Sequence, residues 1–262
     1  MSIELGHVEA TLRRDRVVIL AAVTAVTVVA WAYLVYLARS MSAMAVMDMA
    51  PAMVMPQAKS WGTFELPLLF LMWTMMMVAM MLPSATPLVL MFARARRRHA
   101  TRVVGPAATL LLGYLFLWTG FSGLAALAQW SLHNASLLSP MMASTSPWLS
   151  GLLLLSAGAF QFSPVKRACL VHCRSPLGFV TSEWRDGPRG AFLMGLKHGW
   201  YCLGCCAVLM SLLLVAGVMN LLWVAALGVF VLLEKVAPAG ARLGRMAGAV
   251  LVAGGAWRII TI

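Results

Sequence analysis

No charged residue occurs between Gly199 and Leu233. A helix needs roughly 20 apolar residues to cross a bilayer. This stretch is too long for one crossing and too apolar for an ordinary soluble core. The "GVMN" segment at 217–220 predicts a tight turn inside it. The run therefore divides into one helix from about Gly190 and another ending near Glu234. Further apolar runs cover 17–38, 66–93, 103–132, 148–165 and 246–262. The expected fold is all-α: a polytopic transmembrane helix bundle of about seven spans, forming a single integral membrane domain over residues 1–262. No internal repeat and no soluble domain is evident.

Composition agrees. The chain is 62% hydrophobic and 11% charged, where soluble domains are roughly half apolar and about a quarter charged. The net charge of +12 raises the question of nucleic acid, but the cations are dispersed between apolar runs and no nucleic-acid-reading motif is present. Anionic membrane lipids are the expected partners of these basic segments. With the N-terminus cytoplasmic and the C-terminus outside, sixteen of the 20 Lys and Arg fall on the inner side and three on the outer. That is a strong positive-inside bias, and it predicts a multi-pass protein of the bacterial inner membrane. Arg13, Arg14 and Arg16 precede an apolar run too long for a cleavable signal peptide.

Sulfur is the next feature. Segment 39–63 predicts an irregular, Met-rich outer loop, with Met41, Met44, Met47, Met49, Met53 and Met55 close together. The following helix carries Met72, Met76 and Met80 at i, i+4, i+8, joined by Met75. Met77 and Met81 lie on a neighbouring stripe. Thioether is a soft, neutral ligand suited to Cu(I). Methionine also fills irregular cores well, which accounts for helix methionines more readily than for loop ones.

"KHGWYCLGCC", from Lys197 to Cys206, places His198, Cys202 and Cys206 at i, i+4, i+8, with Cys205 on the same face. Cysteine is an ordinary small buried hydrophobe, but three of them beside a histidine in an apolar helix point to function. Imidazole and thiolate suit Cu(I) or zinc. A cytoplasmic Cys-containing loop is expected at 163–189. There Cys169 and Cys173 are one helical turn apart, with His172 beside them and Lys166, Arg167 and Arg174 as cations expected to favour thiolate. Gly195, Gly199 and Gly204 thin one side of the preceding helix face and predict close approach by a neighbour. One shared site would require the segment after 165 to fold back; otherwise there are two. Glu234 and Lys235 read as a charge pair at a helix end.

No motif for hydrolysis or nucleotide binding occurs, so no catalytic residue is assigned. The expected function is transport or delivery of a soft metal ion, most simply Cu(I), with zinc as the other candidate. The expected protein partner is a soluble metallochaperone or a membrane metalloenzyme. Two alternatives stand beside it: a transmembrane thiol–disulfide oxidoreductase relaying electrons through paired cysteines such as Cys202 and Cys205, and an accessory or assembly subunit of a membrane metalloenzyme.

Four motifs in order, "MMMVAMMLPS", "AGAFQFSPVKRACLVHCRSP", "GWYCLGCCAVLM" and "GVMNLLWVAALGVFVLLEK", resemble a bacterial family of predicted metal-binding integral membrane proteins of unknown function. The likeness covers roughly 65–235. Ala207 stands where family members often carry an aromatic residue, a departure that touches no ligand type. The resemblance implies a multi-helix membrane protein with a metal site and supplies no substrate. The preference for copper comes from ligand chemistry alone.

Overall fold

The computed structural model describes residues 2–48, 62–97, 102–139 and 142–261. These residues form α1 (Ser2–Asp48), α2 (Glu65–Arg97), α3 (Val104–Asn134), α4 (Pro147–Gln161), α5 (Pro164–Arg174), α6 (Pro176–Ser182), α7 (Gly187–Met210), α8 (Leu213–Ala216), α9 (Leu221–Val236) and α10 (Gly240–Ile260). The fold is all-α. Beyond the helices, the described residues show one isolated antiparallel bridge, Leu138 to Ser144.

Local sequence explains several helix starts. Ser146 and Ser163 each precede a proline and cap α4 and α5, accepting hydrogen bonds from the backbone N–H of Leu149 and Lys166. A serine cap followed by proline satisfies one free N–H and removes another. At the expected turn, Gly217 has φ 89° and Asn220 caps α9 by accepting from the Trp223 N–H. The positive φ is one that glycine adopts without steric cost.

Among the described residues, five helical stretches are long and apolar enough to cross a membrane: Thr11–Ser40, Glu65–Arg97, Val104–Asn134, Gly187–Ala216 and Gly240–Ile260. Helices α4 and α5 meet at a 63° bend, and together they make a sixth if the pair is one broken span. Helix α9 has 16 residues, just under the roughly 17 that a straight span requires. The expected span ending near Glu234 corresponds to this helix, which is not among the stretches long enough to cross.

Two expectations change. Residues 39–48 are not irregular, because α1 continues to Asp48. Met41, Met44 and Met47 belong to that helix, while Met49, Met53 and Met55 lie outside the described residues. Segment 163–189 is not a simple loop either. It folds into α5 and α6, and α5 packs on α7.

Helix α2 is central, touching α1, α3, α6 and α9. Its C-terminal end is tied to α1 by an ion pair between Arg97 and Asp15. Two other helix pairs pack backbone to backbone through glycine. In α3 and α7, a methyl group on Gly113 would strike the Phe192 carbonyl, and one on Gly195 would strike the Leu110 carbonyl. In α4 and α10, Gly158 faces the Gly248 carbonyl and Gly255 faces the Gly151 carbonyl, at 2.8 and 2.9 Å from an added Cβ. Small residues give membrane helices their close contact, because lipid offers no hydrophobic drive for association.

Candidate metal centre

Helix α7 presents His198, Cys202, Cys205 and Cys206 on its buried face. Cys202 lies about 22 Å from the start of α7 at the helical rise of 1.5 Å per residue, well inside the bundle. Helix α5 folds back to meet this face. Cys173 Sγ stands 3.9 Å from Cys205 Sγ. Cys169 lies over Gly204, where an added Cβ would come 2.7 Å from its sulfur. Gly204 therefore clears space for a thiol from α5. The fold-back that one shared site required is present for these cysteines, and all five are free thiols.

Cys202 is the most constrained. Its sulfur is 2.9 Å from Lys235 Nζ and 3.0 Å from the Tyr114 hydroxyl. Lys235 also donates to Ser84 Oγ at 3.0 Å. Ser84 and Tyr114 both donate to the Met81 carbonyl on α2, at 2.8 and 3.2 Å. Four helices thus converge on one thiol: α2, α3, α7 and α9. The Cys205 and Cys206 thiols turn back on their own helix, donating to the Cys202 carbonyl at 3.1 and 2.8 Å.

The last turn of α9 buries Glu234 and Lys235 while Leu233 and Val236 are exposed, and its C-terminal carbonyls need partners from outside the helix. Arg174 of α5 supplies partners, donating to the carbonyls of Glu234, Ala237 and Pro238 at 3.0, 2.8 and 3.1 Å. Cations at a helix C-terminus also complement the helix dipole.

The expected Glu234–Lys235 pair does not form. Adjacent residues on a helix point in different directions. Glu234 forms a buried salt bridge with Lys166 at 2.8 Å, while Lys235 turns to Cys202 and Ser84. Lys166 and Arg174, expected to favour thiolate at Cys169 and Cys173, are instead held by α9.

The histidines are occupied by aromatic neighbours. His198 is buried between Tyr114 and Phe179, with ring centroids 5.9 and 5.2 Å away, and its Nδ1 has no hydrogen-bond partner. His172 stacks on Tyr201 at 4.1 Å, with Nδ1 2.9 Å from the Ala168 carbonyl oxygen. Among the described residues, no three His, Cys, Asp or Glu side chains stand ready as a metal-binding group. The Cys202 thiol has Cys173, Cys205 and Cys206 as neighbours, and Cys173 also approaches Cys205. Two sulfurs on one ion at about 2.3 Å each lie at most about 4.6 Å apart, and the Cys173–Cys205 distance falls inside that limit.

Met72, Met76, Met77, Met80 and Met81 are all buried, and Met75 is half-buried. The five buried ones belong to the same core cluster as Cys202, Cys205 and Cys206, with Cys169 and Cys173 packed against it. Methionine sulfur and cysteine sulfur therefore share one continuous interior. Sequence reasoning missed Tyr114 and Ser84. A single hydroxyl on an apolar helix carries no periodic signal, and only the tertiary contact identifies it.

A family model described as PpoB2, copper chaperone, matches residues 70–258. No curated protein and no solved structure matches the chain.

Proposed function

Because the chain belongs to the PpoB2 copper chaperone family, we propose that it holds Cu(I) on the cysteines of α5 and α7 and delivers it to a metalloenzyme in or near the same membrane. The observation that carries this reading is the approach of Cys173 to Cys205 at 3.9 Å, beside a Cys202 thiol already paired with the ammonium of Lys235. Thiolate and thioether together select a soft monovalent ion. Zinc prefers four ligands in a closed tetrahedral set, and no group of even three His, Cys, Asp or Glu ligands stands together among the described residues.

In this reading the protein is a seven-span protein of the bacterial inner membrane, with α9 as its short span and the N-terminus cytoplasmic. The methionines of α2 take copper from the outer side as weak, neutral ligands. The thiols at the inner ends of their stripe bind it more tightly. His198 and His172 are left to packing. Movement down this gradient of ligand strength requires no nucleotide, and none of the chain's motifs binds one.

Copper binding by the full-length protein in lipid nanodiscs tests the proposal. Wild type should bind Cu(I) tightly in competition with a Cu(I) chelator under reducing conditions. The Cys202→Ser/Cys205→Ser/Cys206→Ser variant should lose that binding, since a hydroxyl is a poor ligand for a soft cation. Unchanged affinity in the triple variant would remove the thiols from the site. A thiol–disulfide relay draws on the same 3.9 Å contact. It requires a Cys173–Cys205 disulfide that cycles with the redox state of the cell, whereas the copper reading requires thiols that a bound metal shields from alkylation.

A further inference from the structure

A cavity of about 350 Å³ lies between the C-terminal half of α2 and helix α6, and no cysteine lines it. Its volume falls in the range of small-molecule sites, roughly 300–1,000 Å³. Met91, Ala95, Leu177 and Val180 give it apolar walls, and Arg94 and Trp184 line it as well. Arg94 is exposed and belongs to the last turn of α2. Trp184 stacks on Phe92 of α2 at 5.5 Å and donates its indole N–H to Asp186 at 3.0 Å. A ring with an apolar body and a polar edge suits the interface between a bilayer and water.

The cations at this end of the bundle outnumber the acids. Arg97 is held by Asp15, and Lys197 by Glu183. Across 91–97 and 177–189 that leaves Arg94, Arg96, Arg185 and Arg189 against Asp186. Among the described residues, none of these four arginines is in an ion pair. An apolar pocket beside an unmatched cation fits a ligand that is apolar along its length and anionic at its end. A soft metal would find only one thioether there, that of Met91. At the end of a membrane-spanning helix the matching ligand is a phospholipid, and basic pockets between such helices bind anionic headgroups.

We propose that the groove between α2 and α6 is a site for one anionic phospholipid, its acyl chain on Met91, Leu177 and Val180 and its phosphate at Arg94. Helix α6 joins α5 to α7, the two helices that carry the cysteines, so a lipid seated there fastens that connection to α2. The proposal rests on the chain spanning a membrane and is independent of copper.

Native mass spectrometry tests it, on full-length protein released from nanodiscs that hold equal amounts of phosphatidylglycerol and phosphatidylcholine with the same acyl chains. Wild type should retain one phosphatidylglycerol in preference to phosphatidylcholine. Arg94→Gln should lower that preference about fivefold, the scale of one cation at an anionic surface. Ala95→Phe fills the cavity and keeps the charge, and it should release the retained lipid. Arg245→Gln removes an exposed cation from α10, which does not line the cavity, and it should leave the preference unchanged. An unchanged preference in Arg94→Gln, or lipid still retained in Ala95→Phe, overturns the proposal. An equal loss in Arg245→Gln overturns it too, because the lipid would then answer to overall charge. Displacement of the lipid by an excess of inorganic phosphate would do the same, since the ligand would then be a free anion.

Discussion

Two helix pairs in this molecule use the same packing device for different ends. Helices α3 and α7 meet through Gly113 and Gly195, and α4 and α10 meet through Gly151, Gly158, Gly248 and Gly255. In both, helix backbones approach so closely that a methyl group would not fit. Beyond the contact they diverge. Helix α7 turns His198, Cys202, Cys205 and Cys206 into the core, and α3 contributes Tyr114 to the same centre. Helix α10 carries no cysteine, histidine or acid, and its outer residues Met246, Val250, Trp257 and Ile260 are all exposed. The difference separates close packing that sets the position of reactive groups from close packing that only holds the bundle together.

The largest expected effect breaks that distinction directly. Gly195→Leu forces a side chain against the Leu110 backbone, which cannot move without shifting α3. Folded yield should collapse and copper binding should go with it. Gly158→Leu meets the Gly248 carbonyl and Val252 and should also lower thermal stability. The fraction that remains folded should, however, bind copper with wild-type stoichiometry. Size-exclusion profiles combined with metal analysis of the monodisperse peak distinguish the two outcomes. Equal loss of copper per folded molecule in both variants would mean that α4 and α10 also set the site.

A smaller effect is expected where α5 is fastened to α9. Lys166 and Glu234 are both nearly inaccessible and 2.8 Å apart. Lys166→Met leaves Glu234 buried without its partner, which should cost about 3–5 kcal/mol. Because α5 carries Cys169 and Cys173, copper affinity should fall as well. Removing both charges, Lys166→Met with Glu234→Leu, should recover most of the stability, since apolar replacements of a buried pair are often neutral or better. A double variant as unstable as the single one in thermal unfolding would show that the pair is not what fastens α5.

Much of this was legible in the sequence. The apolar runs marked the helices and "GVMN" marked the break before α9, whereas the Ser-Pro starts at 146–147 and 163–164 went unread. The sulfur inventory was equally plain. The return of α5 onto α7 was not. It depends on a 63° bend after Gln161 and on the space at Gly204, and both are properties of three-dimensional packing. Nor was the partner of Lys235 legible. At the end of a helix next to Glu234, it reads as half of a charge pair. Only the packing of α9 against its neighbours turns the Lys235 side chain inward onto Cys202 and Ser84. Local signals fix where helices start, whereas the direction in which Lys235 turns is set by the neighbours of α9.

The smallest expected effect concerns the methionines, and it sharpens the contrast between holding a position and handling an ion. Met72, Met76 and Met80 are as thoroughly buried as any core residue, so burial alone assigns them to packing. Leucine has nearly the same bulk, and such exchanges usually cost less than about 1.5 kcal/mol. The Met72→Leu/Met76→Leu/Met80→Leu variant should therefore fold and, at saturation, bind as much copper as wild type on its intact thiols. What it loses is three soft ligands along α2. If these sulfurs conduct copper toward Cys202, loading from a low concentration of Cu(I) should be slower, and the deficit should vanish as copper is raised. Stopped-flow loading across a range of copper concentrations measures this. Wild-type rates throughout would return the stripe to the same class as α4 and α10, as packing that carries no cargo. The copper pathway would then begin at the thiols.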